Sequence, residues 1–260
     1  MEGPPGVIAL VLAETAAGAT AFLWLGRVWG TVRRGFFVLT GASALACSLL
    51  ATLAASSAVT TPPSSDARVA VLLAAATSTL LGLSLVALIL RLDAAGRVLG
   101  VLSIPVAAGM LVGFASVAGP SFVPALLQVV AGAVFMGAVA DGLLLGHWYL
   151  VDRGLSREPI NRFALLLIVA VVLEAAAVAV LGTGSPPDPS AGFSPYLGIA
   201  GLAAWLALGM VACTALIALL IRASLKGTRA RAVQAATGFF YLAVITAFTA
   251  EMAAKIGFLG

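Results

Sequence analysis

The sequence predicts an all-α fold: a polytopic transmembrane helical bundle of eight helices, with both termini outside, that forms a single integral membrane domain over residues 1–260. Of the 260 residues, 62% are hydrophobic and 9% are charged, whereas a soluble domain carries about 25% charged residues. The apolar residues also form long runs separated by short polar connections. Because a membrane-spanning helix needs about 20 such residues, the chain is long enough to cross a bilayer about eight times.

Eight apolar runs, each bounded by charged residues or by proline, glycine and serine, define the predicted spans. They cover residues 7–29, 35–58, 68–91, 98–118, 122–150, 162–182, 194–221 and 232–257. No basic segment precedes the first run, so we expect a permanent helix there rather than a cleaved signal peptide. The fourth run contains Pro105, which a membrane helix tolerates when its neighbours satisfy the freed backbone groups, and we expect a kink at this position.

Two of the polar connections are rich in proline: TTPPSSDA between the second and third spans, and GTGSPPDPSAGF between the sixth and seventh. Such segments are typical of connecting turns. Their Pro-Pro pairs, at 62–63 and 186–187, suggest an internal repeat with an offset of 124 residues (186 minus 62). The same offset matches Glu14 with Ala138 instead of another acid. The sequence therefore does not predict the repeated halves found in many transporters.

The basic residues predict the orientation of the bundle. Only Arg68 and Lys255 fall on one side of the predicted membrane, and twelve fall on the other: Arg27, Arg33, Arg34, Arg91, Arg97, Arg153, Arg157, Arg162, Arg222, Lys226, Arg229 and Arg231. Basic connections stay in the cytoplasm, so we expect the chain in the inner membrane of a bacterial cell with both termini on the outer side. Because these residues are scattered between apolar runs, they do not indicate nucleic-acid binding.

Patterns of known catalytic and metal sites are missing from the sequence. It contains no GxSxG, HExxH, P-loop or dinucleotide-binding fingerprint. Its single histidine excludes a bis-histidine haem, and no group of His, Cys and carboxylate residues has metal-site spacing. We therefore predict no catalytic residue and no metal site in this chain.

Four carboxylates lie inside predicted spans: Glu14, Asp141, Glu174 and Glu251. A charged residue at the centre of a membrane helix costs about 2.5–3.5 kcal/mol, so such residues usually face the protein interior or a wet cavity. At about 1.5 Å per residue, Glu14 lies about 10 Å below the outer boundary, Glu174 about 12 Å and Glu251 about 9 Å. Asp141 lies about 25 Å or more along the fifth helix, in the cytoplasmic half.

The three outer carboxylates have two interpretations. In the first, they form an outward-opening polar site that binds a proton, a cation or a polar headgroup. In the second, each acid forms a hydrogen bond with a nearby Thr, Ser or carbonyl group and only fixes the packing of the helices. For Glu251 the second interpretation includes a local ion pair, because Lys255 follows at i+4 in the favourable order.

His147 lies where the fifth helix reaches the cytoplasmic interface, beside Trp148 and Tyr149. Aromatic residues of these types are enriched at membrane interfaces, so we interpret His147 as a marker of that boundary. It is about 120° from Asp141 around the helix, so the two do not form a ready-made pair. The alternative is proton exchange at the inner mouth of the bundle, since histidine titrates near neutral pH.

The chain has eight predicted spans, a first helix that contains ETAAGATAFLWLG and a last helix that reads FFYLAVITAFTAEMAAKIGF. In these features it resembles the quinone-interacting membrane anchors of polysulfide reductase and dimethyl sulfoxide reductase complexes. Ala250, Glu251 and Lys255 match the Gly-Glu pair and the later basic residue of that family, with lysine in place of arginine. The His/Gly/Pro-rich connection that follows the family's second helix is missing here.

The resemblance implies a membrane subunit of a respiratory-type electron-transfer complex, with partner subunits and no covalently bound cofactor. A quinone would bind near the outer face, Glu14 and Glu174 would exchange its protons, and Glu251 and Lys255 would shape the pocket. Two alternatives remain open. One is a proton- or cation-coupled small transporter or channel, with Asp141 and His147 on the inner half of the path, and the other is a structural membrane subunit without a ligand.

Overall fold

The computed structural model describes residues 3–26, 28, 31–59, 63–118, 121–152, 154–182, 201–227 and 231–256. Within these ranges the chain is all-helical, with α1 Gly3–Leu25, α2 Arg34–Ala58, α3 Ser65–Ile89, α4 Asp93–Val117, α5 Phe122–Val151, α6 Glu158–Leu181, α7 Leu202–Leu225 and α8 Arg231–Lys255. All eight are long and apolar enough to cross a membrane. The predicted all-helical fold class and the number of spans are confirmed.

The helix ends differ from the predicted spans where polar residues extend a helix. Asp93 starts α4 five residues before the predicted start at 98, because an acidic residue in the first turn interacts favourably with the helix dipole. Ser64 caps α3, where its side chain accepts a hydrogen bond from the amide of Ala67. The predicted start of the seventh span at 194 and the second Pro-Pro pair lie outside the described residues, and α7 is described from Leu202.

The eight helices pack as two halves with the same order of contacts. In the first half, α1 and α3 each pack against α2 and α4; in the second half, α5 and α7 each pack against α6 and α8. Each half is thus a closed ring of four consecutive helices. The halves meet mainly through α1 and α5, with smaller contacts of α4 with α5 and of α1 with α8.

This repeated order of contacts was not predicted, because no single offset relates the two halves. The starts of α1 and α5 differ by 119 residues, those of α2 and α6 by 124, and those of α4 and α8 by 138. The offset between the Pro-Pro pairs therefore fits the second helix of each half but not the first. Differences in connection length hide the correspondence from a comparison at a fixed spacing.

Backbone contact between glycines joins α1 to α5. A Cβ atom on Gly18 would lie 1.8 Å from the carbonyl oxygen of Ala133, and one on Gly137 would lie 2.4 Å from the carbonyl carbon of Gly18. Only glycine allows this approach, and small residues of this kind let membrane helices pack closely. The halves therefore touch without intervening side chains.

Among the described residues, two ion pairs join different parts of the chain at the end of the bundle that is cytoplasmic in the predicted orientation. Arg33 Nε lies 3.0 Å from Asp152 Oδ2, and Arg34 Nη1 lies 3.5 Å from Asp93 Oδ1. Because Arg33 precedes α2 and Asp152 follows α5, the first pair also links the two halves. Partly exposed pairs of this kind contribute at most about 1 kcal/mol each, so packing dominates the joining of the halves.

We expect Gly142→Ala to lower the thermal stability of the purified protein in detergent. Its Cβ atom would lie 2.2 Å from Cε1 of Phe240, which is fully buried on α8, and overpacking of this kind costs about 1–3 kcal/mol. The matched control is Gly209→Ala, where no atom lies within 4 Å of the added Cβ. Alanine should stabilise that helix by about 0.5–1 kcal/mol. Equal melting temperatures for the two variants would contradict the described contact between α5 and α8.

Candidate functional site

A buried group of charged side chains lies near the end of the bundle where α5 begins and where α6 and α8 end. We define the acid–lysine cluster as Glu14 of α1, Glu174 of α6, and Glu251 and Lys255 of α8. This end is the outer one in the predicted orientation. The structure therefore brings together the four residues that the sequence predicts for an outer site, and it places them between the two halves of the bundle.

Lys255 is the centre of the cluster and is fully buried. Its Nζ atom lies 3.1 Å from Glu14 Oε1 and 3.3 Å from Glu251 Oε2. The ammonium group also donates to the backbone carbonyl of Gln128 at 2.9 Å and lies 3.4 Å from the side-chain oxygen of that residue. One cation therefore connects α1, α5 and α8. The charge count places Lys255 among the outer residues that mark topology, and the family resemblance places it in the outer site; its side chain lies inside the protein.

Gln128 is a member of the site that the sequence analysis missed. Its side-chain amide donates to the carbonyl of Gly182, directly after α6, and its oxygen faces Lys255. The residue is fully buried. Gln128 thus ties the end of α6 to the ammonium group. The available signal was a single neutral polar residue in the apolar run of the fifth span.

The carboxyl group of Glu14 lies directly on the backbone of α5. A Cβ atom on Gly132 would lie 2.8 Å from the carboxyl carbon of Glu14 and within 2.9 Å of both its oxygens. Gly132 therefore provides the space in which Glu14 reaches Lys255. Gln128 and Gly132 are four residues apart, so one face of α5 supplies both contacts.

Glu174 differs from the other two acids because it has no close cation. Neither of its oxygens accepts a hydrogen bond from an amide, ammonium or alcohol donor in the described part of the chain. Its contact within the cluster is with the carboxyl group of Glu251, and it also interacts electrostatically with Lys255. The side chain is 1% exposed. Two adjacent acids are therefore held away from water.

The energies of charge burial and charge attraction show how strongly the cluster depends on the ammonium group of Lys255. At an effective dielectric constant of about 20, two unit charges 3.1 Å apart attract by about 5 kcal/mol. Removing each ion from water costs several kcal/mol, so burial and attraction largely offset each other. The loss of one partner leaves the desolvation cost without compensation.

The two residues predicted for an inner proton path lie apart from the cluster and from each other. Asp141 is fully buried, whereas His147 is exposed, with its Nδ1 atom 3.4 Å from the hydroxyl of Tyr241. Tyr149 is also buried, and its hydroxyl donates to the carbonyl of Ser156. The structure therefore does not pair Asp141 with His147.

The buried carboxyl and amino groups are distributed unequally between the halves. Among the described residues, those of the spans belong to Asp141 and the four members of the acid–lysine cluster, and none lies on α2, α3 or α4. Buried polar side chains of the first half are mostly alcohols, such as Ser48 and Ser78, whose hydroxyls lie 2.8 Å apart. In the part of the chain that the structure describes, buried carboxyl and amino groups are thus confined to α1 and the second half.

Comparisons of the chain with protein-family models, curated proteins and solved structures give no match.

We expect Lys255→Met to lower the free energy of unfolding by about 3–5 kcal/mol, because it leaves buried acids without a cation. The measurement is thermal or denaturant unfolding of the purified protein in detergent. Arg68→Met is the matched control, since Arg68 is an exposed basic residue at the same end, and the expected change there is within about 0.5 kcal/mol.

A triple variant separates charge from packing in this experiment. Adding Glu14→Gln and Glu251→Gln to Lys255→Met should restore much of the lost stability, because neutral amides carry a smaller desolvation cost than carboxylates. If Lys255→Met is no less stable than Arg68→Met, the ion pairs do not hold the helices together.

Proposed function

We propose that this chain is an integral membrane subunit of a respiratory-type electron-transfer complex, which binds a quinone near its outer face and exchanges protons through the acid–lysine cluster. The observation that carries the proposal is the imbalance of buried charge. The cluster contains three carboxyl groups and one ammonium group, and each of the four side chains is at most 1% exposed. Full ionisation would leave two negative charges without compensation, so the cluster is stable with bound protons.

The ion pairs assign different roles to the acids. Lys255 lies close to both Glu14 and Glu251, whereas Glu174 faces Glu251. Neighbouring buried carboxyls repel each other when both are ionised, and a proton held between them removes the repulsion. The contact with Glu251 supports proton exchange at Glu174. For Glu14 and Glu251, which both pair with Lys255, we follow the family resemblance and assign proton exchange to Glu14 and the shaping of the site to Glu251 and Lys255.

An apolar groove whose outer end lies near Glu14 supports a lipid-soluble ligand. It has a volume of about 380 Å³, and its lining runs from Ala17 on α1 to Gly26, toward the inner end of the bundle, with residues of α4, α5 and α6 that include Ala133. Ala17 lies three residues from Glu14, and Ala133 directly follows Gly132, on which Glu14 rests. Val130, also in the lining, is 43% exposed, so the groove opens at the lipid-facing surface.

Reduction of a quinone to a quinol takes up two electrons and two protons. In this proposal partner subunits supply the electrons, and the cluster delivers protons to the quinone or accepts them from the quinol. The chain lies in the inner membrane with both termini outside, so the cluster is in the outer half of the bilayer.

We expect Glu14→Gln to weaken the binding of short-chain ubiquinone and menaquinone analogues by about 10-fold to 100-fold, because a hydrogen bond to a charged group is lost. Quenching of tryptophan fluorescence in the purified protein measures this affinity. Glu158→Gln is the control, since Glu158 is an exposed acid at the opposite end of the bundle. A wild-type chain that binds neither analogue and copurifies with no redox protein would refute the quinone proposal.

A second candidate, a proton- or cation-coupled transporter, is favoured by the two four-helix halves. Repeated halves that meet at a central site are common among transporters, and the acid–lysine cluster lies where α1 meets the second half. In that case the protons of the cluster would drive the movement of a solute or cation.

For the transporter we expect proteoliposomes to show a flux driven by a pH gradient, and Glu174→Gln to reduce it at least about tenfold, as for an essential acid on an ion path. Asp66→Asn is the control because Asp66 is an exposed acid near the same end. Flux that is indifferent both to the gradient and to Glu174→Gln would remove this candidate.

A further inference from the structure

We propose that Asp141 is a second proton-binding site, and that the contact between Gly18 and Gly137 is a dry seal between it and the acid–lysine cluster. The two sites are then the ends of one interrupted proton route across the bundle. The inference rests on the proposed function in one respect, namely that the cluster exchanges protons.

Asp141 is a buried acid without any described partner. Its side chain is fully buried, and neither carboxyl oxygen has a hydrogen-bond partner in the described part of the chain. An isolated carboxylate in such a place is very costly, and intramembrane acids of this kind mark proton routes. The site is therefore stable with a proton on the carboxyl group.

The ionisable groups on the helices packed against α5 lie away from Asp141. Those of α1, α6 and α8 that are buried belong to the acid–lysine cluster. The groups at the inner ends of α2, α4, α6 and α8 are Arg34, Asp93, Arg97, Glu158, Arg162 and Arg231. None of these donates a hydrogen bond to a carboxyl oxygen of Asp141. On α5 itself, His147 is exposed. Asp141 is thus a separate site and not an extension of the cluster.

The seal lies between the two sites along α5. Asp141 follows Gly132, the seat of Glu14, by nine residues, or about 14 Å of helix rise. Residues 133–140 of α5 are all apolar. Within this stretch Gly137 touches the backbone of Gly18, and the groove that Gly18 also lines has only apolar residues in its wall. A proton therefore has no polar group on α5 through which to pass while the glycines remain in contact.

A polar group follows Asp141 on the inner side. The hydroxyl of Thr237, on α8, lies against Gly146, where an added Cβ atom would be 2.7 Å from Thr237 Oγ1. Gly146 is five residues beyond Asp141 on α5, or about 140° around the helix, so Thr237 does not contact Asp141 directly. Asp141 lies ten residues, about 15 Å, from the inner end of α5 at Val151 and nineteen residues, about 28 Å, from its outer end at Phe122. This depth favours proton access from the inner end of the bundle, opposite to the cluster.

The test measures passive proton leak into proteoliposomes that contain a pH-sensitive dye, with a potassium gradient and valinomycin as the driving force. The wild-type chain should be tight. Gly137→Ala and Gly18→Ala force α1 and α5 apart, and each should raise the leak by about tenfold or more, since water replaces an apolar barrier. Gly238→Ala, where no atom lies within 4 Å of the added Cβ, should leave the chain tight.

Second substitutions identify the route. Asp141→Asn in the Gly137→Ala background should return the leak to the wild-type rate. If a folded Gly137→Ala protein leaks equally with and without Asp141, or if neither glycine variant leaks, the proposal is overturned. Adding Glu174→Gln to Gly137→Ala separates the two proposals: a leak that Asp141→Asn abolishes and Glu174→Gln does not would keep the inner site and refute proton exchange by the cluster.

Infrared spectroscopy of the wild-type protein keeps the test independent of whether the glycine variants fold. A protonated buried carboxyl gives a C=O band, and the band of Asp141 should be missing from the spectrum of Asp141→Asn. It should also shift when the inner side of oriented proteoliposomes is exposed to D₂O, and shift more slowly when the outer side is exposed. Identical spectra for the two proteins, or faster exchange from the outer side, would overturn the inference.

Discussion

The buried ammonium group of Lys255 is the interaction on which the arrangement of the helices depends. It lies within 3.3 Å of acids on α1 and α8 and donates to the backbone of α5. A charge in this position has no water to solvate it, so the acids and carbonyl groups around it replace the hydration shell. The helices that carry these groups must keep their relative positions, because moving one helix away from the others leaves a buried charge without an opposite charge beside it. The cluster thus constrains geometry more than it adds stability.

The two halves of the bundle share an order of contacts but not a distribution of chemistry. The buried polar side chains of the first half, apart from Glu14, are alcohols, whereas those of the second half include acids and a lysine. The single acid of the first half reaches across to the cation of the second. Glycine contacts between α1 and α5 make this crossing possible, because larger residues would hold Glu14 too far from Lys255. Helix α1 therefore links the glycine packing between the two halves to the ion pairs of the acid–lysine cluster.

The features that could be predicted from the sequence are those that depend on composition and on the depth of a residue in the membrane. Long apolar runs predict spanning helices whatever their neighbours, and the rise of a helix places three acids at one level. The contacts of Gln128 could not be predicted, since a neutral amide in an apolar run has several ways to satisfy its hydrogen bonds. The burial of Lys255 was missed because a lysine near a predicted interface is normally extended toward water. Connection lengths that differ between the halves hid their common order of contacts.

The position of the acid and the lysine along the chain has a consequence for biosynthesis. Glu14 enters the bilayer with α1, and its cation is on α8, seven helices later. During synthesis this acid must therefore remain protonated, or be held by the insertion machinery, until α8 arrives. A nascent chain interrupted before α8 retains an unpaired acid between helices, and this defect distinguishes it from the finished bundle.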